Sequence, residues 1–144
     1  MRRACFAAVL LVAVAALPAA AQTTGKITGQ LIYPSDQIPP DLTVCAEAVD
    51  GGRTVCTDRH LKGPKRTTIY EIAVPAGAYR VYAKLTDPES TGASYGLDYR
   101  AYYSEFVTCG LKASCPSHAP IIVRVAPGRT AGKIDPADWY DPAQ

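Results

Sequence analysis

Along residues 69–85 the apolar side chains keep a two-residue period. Tyr70, Ile72 and Val74 recur at every second position before Pro75-Ala76-Gly77, and Tyr79, Val81, Ala83 and Leu85 do so after it. Glu71, Arg80 and Lys84 fill alternate places. Alternation of this kind describes extended strands with one apolar face. Proline fixes φ and glycine accepts positive φ, so the tripeptide reads as a turn. The pair reads as a hairpin that needs a second apolar layer to cover it.

The same period, interrupted by turn residues, runs through most of the chain. Residues 26–33 form the first expected strand, with Ile27, Leu31 and Tyr33 on one face and Gly29 marking a bulge or a close approach. Pro34, Pro39 and Pro40 make residues 34–40 a loop, because proline cannot donate to a ladder. Residues 42–49 alternate again through Leu42, Val44, Ala46 and Ala48. Asp50-Gly51 is a two-residue hairpin turn, and residues 53–58 are the partner strand. A long loop over residues 86–98 leads to an expected strand at 102–109. The last clear strand covers residues 120–125, where Ile121, Val123 and Val125 alternate. Ala126-Pro127-Gly128 then turns the chain into a closing segment, residues 131–140, with Trp139-Tyr140 docking as a clasp. No stretch sustains a helical period. Short strands at this spacing predict an all-β fold, a two-sheet antiparallel β-sandwich of about seven strands.

The N-terminus follows a different rule. Arg2 and Arg3 precede an apolar run that ends at Pro18-Ala19-Ala20-Ala21. A basic start, a short apolar segment and small residues describe a secretory signal, residues 1–21, cleaved after Ala21. The run is shorter than the about 20 apolar residues of a membrane span. The expected product is one exported domain, residues 22–144 with its core at 25–140, periplasmic or secreted, without a membrane span. The formal charge of +2 comes entirely from Arg2 and Arg3, so the exported chain is formally neutral. Nucleic acid, which needs a basic patch or stripe, is excluded as a partner; Lys62-Gly63-Pro64-Lys65-Arg66 is a short, solvated turn.

Four cysteines follow the signal: Cys45, Cys56, Cys109 and Cys115. An even count in an exported domain favours disulfides. If Asp50-Gly51 is the turn, Cys45 faces Cys56 across the hairpin and Ala46 faces Val55, within reach of a disulfide. Cys109 and Cys115 would close a small loop after the 102–109 strand. A four-cysteine zinc site is the rival, but the spacings lack the short knuckles such sites use. No metal site and no cofactor are expected.

Gly29-Gln30-Leu31, and above all Tyr70-Glu71-Ile72-Ala73-Val74-Pro75-Ala76-Gly77-Ala78-Tyr79-Arg80-Val81, resemble the carboxypeptidase regulatory-like domain. Val123-Arg124-Val125-Ala126-Pro127-Gly128 is similar to its last strand and turn. The resemblance implies a transthyretin-like (prealbumin-like) sandwich of about seven strands. In metallocarboxypeptidases this domain stands beside a catalytic domain; here neither His60 nor His118 begins an H-x-x-E zinc motif. Transthyretin-related hydroxyisourate hydrolases end in Tyr-Arg-Gly-Ser, whereas this chain ends in Asp141-Pro142-Ala143-Gln144. That active site is not carried over, and no catalytic residue is assigned.

Two function classes stay open. The first is a non-catalytic exported binding module for a protein, peptide or carbohydrate, using Tyr95, Tyr99, Arg100 and Tyr103. Tyrosine joins a large ring to a polar tip, which suits recognition. Against it, tyrosine is also a strong strand former, and Tyr102 and Phe106 fit a sheet surface or core. The second is a small secreted hydrolase using His118 with Glu105 or Ser117. His118 otherwise reads as a solvated loop histidine, since adjacent residues in a loop seldom aim at one reacting atom.

Overall fold

The structure is a computed structural model that describes residues 23–144, with the backbone alone at residues 90 and 91. The expected signal segment lies outside the described residues. Among the described residues nine strands form two sheets. The first sheet joins β1 (Thr24–Gln30), β4 (Leu61–Lys62), β5 (Thr68–Pro75) and β9 (Thr130–Ala131) in the order β4-β5-β1-β9. The second joins β2 (Leu42–Ala48), β3 (Thr54–Thr57), β6 (Gly77–Leu85) and β7 (Ala101–Tyr102) in the order β3-β2-β6-β7, and β8 (Val123–Val125) pairs with β6 beyond β7. The sandwich is therefore antiparallel with one exception: β9 runs parallel to β1, with Lys26 opposite Thr130.

The core lies between the sheets. Ile27, Tyr70, Ile72 and Val74 face Leu42, Val44, Tyr79, Val81 and Leu85, all buried. Burying each such side chain contributes about 1.5–3 kcal/mol, which makes this interlayer the main source of stability. The alternating positions seen in the sequence are the ones that turn inward.

Their pairing, however, differs from a hairpin. β5 bonds along its whole length to β1, from Thr24 opposite Pro75 to Gln30 opposite Ile69. β6 bonds to β2, from Leu42 opposite Leu85 to Ala48 opposite Tyr79. Pro75-Ala76-Gly77 carries the chain from one sheet to the other, so the two apolar faces look at each other across the core. The Tyr79 hydroxyl donates to the Pro75 carbonyl at 2.7 Å, and the Ala76 amide to Thr23 at 3.0 Å, which pins the crossing. Period-two alternation reports which face is apolar but not which strand lies alongside.

The β2–β3 hairpin matches expectation. Cys45 pairs with Cys56 and Ala46 with Val55, and Gly51 takes φ 80 at the turn. The Cys45–Cys56 and Cys109–Cys115 disulfides are both formed. The expected strand at 102–109 stops after Tyr102. Glu105–Thr108 is instead a one-turn helix, α2; the four-residue helix Pro88–Thr91 in the long loop is α1. Ser104 precedes α2 in extended conformation, Glu105 lies in its first turn, and Gly110 takes φ 88 after it. Ser-Glu before and Gly after are helix start and stop signals that the aromatic content of the segment obscured. The strand expected at 120–125 is confined to Val123–Val125, with Pro120 forming only an isolated bridge to Ser104.

Gly29 marks a close approach. A Cβ there would collide with the backbone carbonyl of Ile134. That carbonyl accepts the buried Tyr70 hydroxyl at 2.6 Å, and the Ile134 amide donates to Thr28 at 3.1 Å. Gly29→Ala should therefore lower the unfolding free energy by about 3 kcal/mol through overpacking. Gly51→Ala, at a turn with nothing within 4 Å, should cost about 1 kcal/mol from positive φ alone. Urea titration of the two variants measures the difference, and equal small losses would contradict the close approach.

Candidate functional site

The closing segment brings most of the distinctive side chains together. Ile134, Pro136, Ala137, Asp138 and Trp139 are buried, although the segment is irregular beyond Ala131. Trp139 sits under the long loop. Its ring lies 5.0 Å from Tyr33, 4.9 Å from Tyr95 and 5.9 Å from Tyr99, the last stacked within 8° of parallel. Its indole N–H donates to the Ile32 carbonyl at 2.8 Å. The Tyr95 hydroxyl donates to the Trp139 carbonyl at 3.0 Å. Such ring contacts add about 0.5–1.5 kcal/mol each beyond area burial. Trp139 makes the buried part of the clasp expected of Trp139-Tyr140; Tyr140 is 53% exposed, its ring 6.1 Å from Phe106.

Tyr95, Tyr99, Arg100 and Tyr103 do not converge on one surface. Tyr95 and Tyr99 belong to the Trp139 cluster, with rings 4.8 Å apart. Arg100 points to the outer face of the second sheet, where its guanidinium lies 4.9 Å from the Tyr82 ring centre. A hydrogen bond to the Tyr102 side chain raises the Arg100 pKa, keeping it charged. Tyr103 turns the other way, half-buried against the core.

His118 is not a solvated loop histidine. Its Nδ1 lies 2.9 Å and 3.0 Å from the two carboxylate oxygens of Asp138, which is 1% exposed. The buried Ser104 hydroxyl donates a short hydrogen bond to Asp138 Oδ2. Phe106 lies 4.5 Å from the imidazole, ring to ring. The carboxylate is therefore the centre of the trio, whereas a nucleophile–base relay needs the imidazole between hydroxyl and carboxylate. The geometry makes a latch that ties the closing segment to the strand-to-helix junction at Ser104. Ser117 is exposed, its hydroxyl accepting from the Ala119 amide at 3.4 Å, and Glu105 is exposed. Among the described residues no group of three His, Cys, Asp or Glu side chains could hold a metal ion.

Two of the concave surfaces among the described residues flank the proline loop. A groove of about 630 Å3 runs between the proline loop and residues 92–95, walled by Tyr33, Pro34, Ile38, Pro39 and Tyr95. A second cavity of about 530 Å3 opens on the other side of Gln37 and Ile38 and is lined by Gln30, His60, Lys62 and Arg66. Beside the first, Asp41 Oδ2 accepts the Asp87 amide at 2.8 Å, while Asp41 Oδ1 is buried with no hydrogen-bond partner. Burial, then the Asp41 charge, raises the Tyr33 pKa. Sequence reasoning missed Tyr33, Asp41, Ser104 and Asp138; only the placement of Tyr33 beside three prolines hinted at the groove.

Two outcomes test this geometry. His118→Ala should cost about 2 kcal/mol in urea unfolding, the value of a hydrogen bond to a charged group, whereas Ser117→Ala should change it by less than about 0.5 kcal/mol. Tyr99 titrates as part of its cluster: burial first, then Tyr95, pushes its pKa up to about 12. In the unfolded chain tyrosine ionises near pH 10. The unfolded state therefore loses the proton first, so the contribution is complete below about pH 10 and lost as pH rises toward 12. Tyr99→Phe should flatten the fall in stability across that window. No family model, curated protein or solved structure matches the chain.

Proposed function

We propose that the protein is an exported, non-catalytic binding module whose ligand is a carbohydrate chain lying in the groove that Tyr33 and Tyr95 line together. The observation that carries this reading is the groove itself, with two half-buried tyrosine rings and three prolines on its walls. Its volume of about 630 Å3 falls in the range of small-molecule sites. Aromatic rings offer flat apolar area at low entropic cost, and the sugar face that stacks on them leaves hydroxyls free. Two disulfides fit an oxidising compartment, and no helix among the described residues is long and apolar enough to cross a membrane. The basic, apolar and small-residue order of residues 1–21 supports export. The resemblance to the carboxypeptidase regulatory-like domain supports a non-catalytic role.

The hydrolase reading draws on His118, whose ring is oriented by a buried carboxylate. Among the described residues no hydroxyl is hydrogen-bonded to the other ring nitrogen of His118, and the buried hydroxyl at hand, Ser104, donates to Asp138.

Trp139 is the only tryptophan and touches both groove tyrosines, so its fluorescence reports on the site. Titration with neutral and acidic oligosaccharides should change that emission saturably, and Tyr33→Ala should weaken binding about tenfold, the equivalent of about 1.4 kcal/mol. Saturable binding of an unstructured peptide with no response to any saccharide would overturn the assignment.

A further inference from the structure

The cavity on the far side of Gln37 and Ile38 differs in charge from the tyrosine groove. Lys62, Arg66 and His60 line it, with Asp36 as the single carboxylate on its wall. Among the described residues the ion pairs are Lys26–Glu71 and His118–Asp138, and Lys62, Lys65 and Arg66 take part in neither. Lys62 and Arg66 thus face the cavity without an ion-pair partner among the described residues.

The turn that holds them is unusual. Lys65 and Arg66 both adopt left-handed backbone, with φ of 54° and 64°. Two consecutive non-glycine residues in that region are strained, and strain of this kind collects at ligand sites. The surrounding bonds hold the turn in place: the Thr67 hydroxyl donates to the Pro64 carbonyl at 2.8 Å, and the Gly63 amide donates to Thr67 at 2.8 Å. His60 is also fixed. Its Nε2 lies 2.8 Å from the Leu42 carbonyl, which can only accept, so Nε2 carries the proton and the ring is anchored at the cleft edge.

Gln37 and Ile38 line both cavities, so the two openings adjoin across this pair. Resting on the carbohydrate reading of the tyrosine groove, we infer that the Lys62–Arg66 cleft is a subsite for the oxyanion of an acidic polysaccharide. The sugar ring occupies the groove at Tyr33, and the carboxylate or sulfate of a neighbouring residue reaches Lys62 and the guanidinium of Arg66. A planar guanidinium fork matches a carboxylate with two parallel hydrogen bonds, and a lysine adds a point charge. Charge complementarity selects an acidic chain over a neutral one.

The test uses the mature protein with polygalacturonate, its fully methyl-esterified form and dextran sulfate, read by Trp139 fluorescence at fixed ionic strength. Polygalacturonate or dextran sulfate should bind at least tenfold more tightly than the ester. Lys62→Glu/Arg66→Glu should erase that advantage while leaving binding of the ester unchanged; the exposed positions keep the fold intact, checked by thermal melting. Tyr33→Ala should weaken acidic and neutral polymers alike. Equal binding of acidic and neutral polymers, sensitive to Tyr33→Ala alone, would overturn the oxyanion subsite and leave the carbohydrate groove standing. Acidic binding indifferent to Tyr33→Ala would overturn the groove, and binding of an acidic peptide but no polysaccharide would overturn both.

Discussion

One close approach governs the molecule: the backbone at Gly29 lies against the backbone at Ile134, with no side chain between them. It lets the Ile134 carbonyl accept from Tyr70 and its amide donate to Thr28, while the Gln30 amide donates to Asp135 at 2.7 Å. Burial raises the pKa of the Tyr70 hydroxyl, which stays neutral as a donor. The closing segment is thereby fixed to β1 although its ladder has only two paired positions, and it is this docking that places Asp138 and Trp139. The latch at Ser104 and the aromatic cluster under the long loop both follow from it.

The grooves inherit their shape from the same arrangement. Trp139 supports Tyr33 and Tyr95 from below, and Tyr95 in turn binds the Trp139 carbonyl. Prolines stiffen the opposite wall. A site whose walls are held before a ligand arrives loses less conformational freedom on binding, so a modest contact area can still give useful affinity. Of the three tyrosines in the recognition patch read from the sequence, Tyr95 and Tyr99 pack on Trp139, and Tyr95 also lines the groove.

Much of the fold was legible because two-residue periodicity and turn chemistry are local. Val44, Val74 and Val81 declared their inward direction, and Asp50-Gly51 set the register that joins Cys45 to Cys56. Partner choice is not local: nothing in residues 69–85 distinguishes a hairpin from a crossing between layers. α2 was hidden because Tyr102, Tyr103 and Phe106 suggested extended chain while the weaker signals at Ser104 and Gly110 set the outcome. Asp138 could not be read at all, since an aspartate beside tryptophan reveals neither its burial nor the histidine and serine that satisfy it from elsewhere in the chain.

The crossing at Pro75-Ala76-Gly77 has a kinetic consequence. Because β5 and β6 share no ladder hydrogen bonds, the longest strands among the described residues cannot assemble from their own neighbourhood. β5 must find β1, whose paired residues lie about forty or more positions away, and β6 must find β2 across the β3–β5 interval. Nucleation by a rapid local zipper is confined to the short β2–β3 and β4–β5 turns. Chain entropy must be spent on distant encounters before most of the oily interior is sheltered, which places this polypeptide among the slow, topology-limited folders.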